Sequence, residues 1–346
     1  MVPRSEAARG LEFARDAPER AVVQIQVDGD WQAHSWNLRT GSVVTATDGA
    51  ATAARISPDG QWLWWFDDAT QLWWRTPFGS SPRGRRERPL RLHPSPDVDV
   101  AVGGDGTALV SRPAPTTGRL LSLLPVGRVR AGAEPAFLGS FSGIRSFHRS
   151  LDDGLLAVDT GEEIYVCSAY TGQVISVERT GGEWAAAGFA ADGAVVLTRA
   201  LAGDDRDTAP VIGAQLWHPR SALRRTLPFG EVHHARLTLA YRGAGALLEA
   251  WEPAETGSAD GGRVCVYSLA FDGSLPTRIG PTIGSIQSGS AVGGPGGAAY
   301  AIWHAPDAPA RLVNLTESEA NLDPAASAHR QYRPVVGGYG DEGPGR

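Results

Sequence analysis

The 346-residue chain contains no lysine, and all 32 of its basic residues are arginine. Set against 38 acidic residues, they leave a net charge of −6 and an isoelectric point near 5.8. A nucleic-acid binder normally carries a basic surplus to meet phosphates, so no nucleic-acid partner is expected. The arginine bias itself fits a GC-rich bacterial genome and bears no functional weight. Cysteine is almost missing too. Cys167 in "IYVCSAY" and Cys265 in "RVCVYSLA" stand alone, in no CxxC pair and beside no histidine cluster, which leads to buried free thiols and to no expected metal site or cofactor. No run approaches the roughly 20 apolar residues that span a bilayer. The opening "MVPRSEAARGLEFARDAPER" has no apolar segment of the signal-peptide kind, so a cytoplasmic protein without a membrane partner is expected. Helical periodicity is likewise missing from residues 21 to 316. Only "SEAARGLEFAR", residues 5–15, reads as one short helix.

What the chain does have is punctuation: 43 glycines and 24 prolines separate short runs rich in Val, Leu, Trp and Tyr, the composition of an all-β protein. A unit repeats along it. An apolar strand meets a tight Asp-Gly turn, a second and a third apolar strand follow, and then a more polar fourth. The turns fall at Asp59-Gly60, Asp105-Gly106, Asp153-Gly154 and Asp192-Gly193, spaced 46, 48 and 39 residues apart, with glycine counterparts at 243–245 and 296–297. That spacing belongs to propeller blades of four strands. Asp and Gly both tolerate the positive φ that a tight hairpin needs. Units run over 53–91, 97–140, 143–180, 183–231, 233–283 and 285–316, and residues 21–49 add a further set of strands. The expected fold is an all-β, seven-bladed β-propeller of four-stranded antiparallel blades, with an N-terminal arm over 1–20, the propeller over 21–316 and an extended or disordered tail over 317–346. The first unit shows no inner strand and the last no outer one, so the ring is expected to close by mixing strands from the two termini.

The stretch "QWLWWFDDATQLWWRTPFG" packs Trp62, Trp64, Trp65, Trp73 and Trp74 into one hairpin. Successive strand residues face opposite ways, so both faces of this hairpin are apolar, as for a strand covered on both sides. The indoles therefore read as filling between blades rather than as an aromatic box. The run "WNLRTGSVVTATDGAATAARISPDGQWLWWFDD", continued by "LWWRTPFG", resembles the N-terminal propeller of the S9 serine peptidases, the prolyl oligopeptidase and acylaminoacyl peptidase family. Weaker similarity continues through "VGGDGTALV", "LDDGLLAV", "AADGAVVL" and "AAYAIWHAPDAPARLVNL". The resemblance implies a propeller followed by an α/β-hydrolase domain carrying Ser, Asp and His, and the chain stops where that domain would begin. Its G-x-S-x-G elbow does not occur. "GSFSG", 139–143, has Phe141 at the centre, and "GSSPRG" has Arg83 where the second glycine belongs. No catalytic residue is carried over, and peptidase activity is not expected.

Polar groups on the inner strands are the candidates for a site lining the channel: Asp99, Arg145, His148, Glu183, Trp184, His233, His234, Arg236 and Gln287. Histidine and a desolvated glutamate suit acid–base work near neutral pH, while the plain alternative is a wet channel wall. His233 and His234 are adjacent, face opposite ways on a strand, and cannot chelate one metal together. Glu162 and Glu163 in "GEEIY" are similar to the paired glutamates by which some S9 relatives hold a substrate's amino terminus, but they fall in a hairpin turn. Arg83, Arg85, Arg86, Arg88 and Arg91 read as a solvated loop. Three functions follow as expectations. The first is a binding module for a peptide or small molecule at the channel mouth. The second is a non-hydrolytic enzyme of specialised metabolism, catalysing a cyclisation, elimination or isomerisation through His148, Glu183 and His234. The third is the propeller half of a split peptidase whose hydrolase is a separate chain.

Overall fold

The computed structural model describes residues 8–27, 29–47, 49–67, 69–70, 72–81, 100–102, 107–113, 119–125, 136–200, 210–230, 232, 235–252, 263–280, 285–286, 290–304 and 311–316. Apart from single 3-10 turns at Tyr241–Gly243 and Pro295–Gly297, every regular element among them is a strand, and all pairing is antiparallel, mostly between chain neighbours. The first sheet holds β1 (Ala8–Phe13), β2 (Arg20–Val27), β3 (Asp30–Asn37) and β4 (Ser42–Thr45) in that order. The second holds β5 (Ala51–Ile56), β6 (Trp62–Asp67) and β7 (Leu72–Pro77), and the third β8 (Val100–Val102), β9 (Thr107–Pro113), β10 (Arg119–Pro125) and β11 (Ala136–Phe141). The fourth holds β12 (Ser146–Arg149), β13 (Leu155–Asp159), β14 (Glu163–Ser168) and β15 (Val174–Arg179). The fifth has eight strands. Its first half is β16 (Trp184–Phe189), β17 (Val195–Ala200), β18 (Val211–His218) and β19 (Leu223–Leu227). Its second half is β20 (Ala235–Leu239), β21 (Gly245–Glu252), β22 (Arg263–Ala270) and β23 (Thr277–Ile279), joined to the first by the single pair Val211 and Ala235. In the last sheet β24 (Ser285–Ile286) and β25 (Val292–Gly293) share one edge of β26 (Ala299–His304), and β27 (Arg311–Asn314) takes the other.

Two expectations are corrected here. Residues 8–13 form no helix: "ARGLEF" is β1, pairing with β2 from Ala8–Ile25 to Phe13–Ala21. Helix-forming residue types lose to the open edge of a neighbouring strand, because propensity is weaker than tertiary pairing. That strand is the inner strand missing from the sequence reading. The termini therefore do not mix strands within a sheet among the described residues. The first and last sheets meet face to face instead, with Tyr300 of β26 packed 5.2 Å from the ring of Phe13 and 6.3 Å from that of Trp36.

Two of the turns between first and second strands share one wiring. In Ser57–Trp62 the Ser57 amide donates to the Trp62 carbonyl at 2.9 Å, the Ser57 hydroxyl donates to Asp59 at 2.5 Å and accepts from the Trp62 amide at 3.0 Å. Gly60 sits at φ +67°. Ser150, Asp152 and Leu155 repeat these contacts. There the left-handed residue is Asp153, at φ +57°, one position before the glycine. A non-glycine tolerates this conformation at a cost, and the carboxylate of Asp153 is fixed by Arg15 at 3.1 Å and Arg149 at 3.5 Å.

The core lies between the sheets. On β6, Leu63 and Trp65 face the first sheet, where they meet Ala14, Val22, Ala33 and Ala46, together with Ala51, Ala54 and Ile56 of their own sheet. Small residues opposite large indoles let the layers interlock at crystal-like density. Trp65 stacks on Trp74 with centroids 6.3 Å apart, and Phe66 meets Trp73 edge-on at 5.8 Å. Trp64, Trp65 and Trp73 are buried, as the alternation on both faces requires, and Trp62 and Trp74 are half-buried. His34 on β3 is also buried, with Thr45 beside its Nδ1 at 3.3 Å and no partner for its Nε2 among the described residues.

Burial pushes the His34 imidazole down to about 4. The unfolded chain takes up a proton below the ordinary value of 6.5 and the folded chain refuses it until about 4, so stability present above pH 6.5 is lost as pH falls through that window. Between pH 7 and 5 the loss expected from this residue is about 2 kcal/mol. Urea unfolding across that range should show the decline, and His34→Gln should flatten it.

Candidate functional site

Because each sheet alternates direction, the connections fall into two groups at opposite ends of the molecule. The turns from first to second strand, and from third to fourth, lie at one end. The connections from second to third strand, and onward to the next sheet, lie at the other. The first strands stand side by side, β1 next to β5, and β12, β16, β20 and β25 in series. They are the inner ring.

One mouth of this ring is crossed by the connection from β1 to β2. The Asp16 amide donates to the carbonyl of Pro58 in the second sheet at 2.7 Å. The Arg15 guanidinium donates to the carbonyl of Leu151 at 2.5 Å and pairs with Asp153 at 3.1 Å, both in the fourth sheet. Tyr241, in the second half of the fifth sheet, donates its hydroxyl to the Arg15 carbonyl at 2.5 Å, with that of Ala14 at 3.0 Å. A single loop thus ties together sheets that stand apart in the chain order.

Towards the other mouth, polar residues of second strands reach into the next sheet. Asp159, at the end of β13 and 1% exposed, accepts from the Ala186 amide on β16 at 2.9 Å and from its own turn at Gly161 at 2.7 Å. Glu249 on β21 accepts from the Ala291 amide at 2.6 Å. Gln24 on β2 donates to the Ala51 carbonyl at 2.7 Å. Each holds the backbone of an inner strand that no sheet neighbour satisfies on that side, and a buried backbone group left unpaired would be costly.

His148 completes the clamp on Ala186, with its Nε2 3.0 Å from the Ala186 carbonyl oxygen. Burial pushes its imidazole below the ordinary value, against the opposing pull of that carbonyl and of the Asp159 charge. The neutral ring, donating from Nε2, binds both strands together.

Just beyond the clamp lie two sequence candidates, one on each of the two sheets. Arg145 precedes β12, and its guanidinium fills the space beside Gly161, where an added Cβ would lie 2.2 Å from Cζ. Trp184 opens β16, and Arg199 on β17 lies 5.7 Å over its ring. Glu183, next to Trp184, is exposed in the turn closed by its amide on the Thr180 carbonyl at 3.1 Å. Arg236 is exposed on β20, one inner strand further on. Arg199 was missed in the sequence because only inner strands were surveyed, although the register of its hairpin sets it opposite Trp184.

Asp99, His233, His234 and Gln287 lie outside the described residues, as do the loop arginines 83–91. Among the described residues no group of three or more His, Cys, Asp and Glu could hold a metal, and no helix is long and apolar enough to cross a membrane. "GSFSG" runs through strand β11 into a turn rather than over a strand-to-helix elbow. Glu163 receives the Tyr165 hydroxyl and pairs with Arg179 at 3.4 Å. With Glu162 it lines a cavity of about 620 Å³ beside the outer strands β11 and β15, not the inner ring.

Cys167 and Cys265 are buried and unbridged, and burial pushes both thiols up to about 11. At pH 8 about one in a thousand would be thiolate, the reactive form. Native protein is expected to leave both unlabelled by a chromogenic disulfide reagent over minutes, with two equivalents reacting once denaturant is added.

No family model and no curated protein matches the chain. Solved structures do. The oligogalacturonate lyase of Vibrio parahaemolyticus is 9% identical with a TM-score of 0.59, over 92% of each chain. Kuenenia stuttgartiensis hydrazine synthase is 13% identical at 0.55, over 90% of this chain and 96% of that one. The beta-propeller domain of Cps50 (Swd1) from Myceliophteria thermophila is 11% identical at 0.52, over 92% and 98%. The chain has a β-propeller fold. The inner ring is therefore the wall of the central channel, and the β1–β2 connection lies across one of the two mouths. At these identities the likeness extends to the fold alone.

Proposed function

We propose that this propeller is a binding module that takes a peptide or small molecule at the channel mouth opposite the β1–β2 connection. Counting the eight-stranded sheet as two blades joined at Val211 and Ala235 gives seven units, in keeping with the S9-like hairpin around Trp62–Asp67. The observation that carries the reading is the crossing of one mouth by Ala14, Arg15 and Asp16. It directs ligands to the other mouth, where Arg145 and Glu183 are exposed and Trp184 is half-buried. His148 is committed to Ala186, which favours binding over acid–base turnover.

The test is retention. Immobilised protein passed through a peptide and metabolite extract should hold a ligand that Trp184→Ala releases and that Asp16→Arg, at the crossed mouth, leaves bound. Retention that responds to neither substitution, or no retention at all, counts against the proposal.

A further inference from the structure

The cleft between the fourth sheet and the first half of the fifth carries a more specific reading, which rests on binding at this mouth. Asp159 and Ala186 are joined across it. Gly161 lies two residues after Asp159 and Trp184 two before Ala186, and both steps lead towards the same mouth. The Thr180 hydroxyl, in the connection from β15 to β16, donates to the Gly161 carbonyl at 3.0 Å, so that connection is tied to the turn at the floor. Arg145 sits on one side, over Gly161, and Arg199 on the other, over the Trp184 ring. Both arginines are exposed, and neither makes an ion pair with a described residue.

We propose that Arg145, Trp184 and Arg199 form a subsite for a compact ring bearing a carboxylate or phosphate. A guanidinium presents a planar fork that matches both anions with two parallel hydrogen bonds. The indole offers a flat apolar face on which a ring can stack, and Arg199 is already oriented by that indole. Arg145 and Arg199, neither paired with a carboxylate among the described residues, place positive charge on both walls of this cleft, and an anion between them meets both charges. A cationic ligand would be repelled by both.

The experiment is ligand-observed NMR titration of the whole chain with benzoate, phenyl phosphate and glucuronate, beside neutral benzyl alcohol and glucose and cationic benzylamine. The three anions separate an aromatic acid, a phosphate ester and a sugar acid as the source of the charge. At least one anion is expected to bind while its uncharged counterpart does not. Arg145→Ala and Arg199→Ala should each weaken that binding about tenfold and together abolish it, and 0.5 M salt should weaken it as well. Arg242→Ala, an exposed arginine at the crossed mouth, should leave it unchanged. Circular dichroism would confirm that these surface variants fold. If benzyl alcohol or benzylamine binds as well as benzoate, or if the double variant binds anions normally, the subsite proposal falls. So it does if no probe binds while an extract ligand is still retained in a manner sensitive to Trp184→Ala, and in that case binding at this mouth survives. Failure of both experiments removes both readings.

Discussion

Replacing Asp159 with alanine is expected to lower the unfolding free energy by about 4 kcal/mol, the sum of two orphaned buried donors at roughly 1–3 kcal/mol each. The carboxylate holds the amides of Ala186 at 2.9 Å and Gly161 at 2.7 Å in a site where it is 1% exposed. Alanine supplies no acceptor and leaves room for little water. Asparagine keeps the volume but has only one oxygen for two N–H groups, and its amide nitrogen would point at the other donor, so Asp159→Asn should cost nearly as much. Denaturant midpoints for the three proteins measure this. If Asp159→Asn is within about 0.5 kcal/mol of wild type, the two-donor account is wrong. The consequence reaches function, because Gly161 and Ala186 are the backbone supports beneath Arg145 and Trp184. In the fraction that remains folded, anion binding should weaken as well.

Such bridges were hard to see in the sequence. Asp159, Glu249 and Gln24 are polar residues within largely apolar runs, "LLAVD", "ALLEAW" and "AVVQIQV". A strand pattern assigns each to a face without saying what that face meets. The neighbouring sheet supplies the answer, and only the fold brings it near. The turns were legible because their chemistry is local: an Asp accepts amides two residues on, and a glycine takes the positive φ. β1 was not legible, since its residues favour a helix and only the free edge of β2 makes it a strand. Two of the three residues of the anion subsite were legible, Arg145 and Trp184 being polar or aromatic groups at the start of inner strands. Arg199 needed the hairpin register counted from the turn at Asp192.

Trp65 tests the reading of the aromatic hairpin. Trp65→Ala is expected to cost about 3–5 kcal/mol, the range for deleting a buried aromatic and leaving a cavity. Trp65 is 2% exposed, packed on Trp74 and set against Ala33, Ala46, Ala51 and Ala54. Those alanines are too short to close the gap, so the site would collapse poorly and the cost should lie high in the range. Phenylalanine behaves differently. The Trp65 indole N–H has no acceptor among the described residues, so Trp65→Phe removes an unsatisfied donor along with part of the ring. It should cost less than about 1.5 kcal/mol. The two thermal or urea midpoints separate packing from hydrogen bonding: equal losses would mean that the N–H matters, and a large loss for alanine alone means that volume does. Trp65→Phe should also leave anion binding at Arg145 and Arg199 untouched. A hairpin that gripped ligand would lose binding with the indole, whereas one that fills the space between two sheets loses only stability.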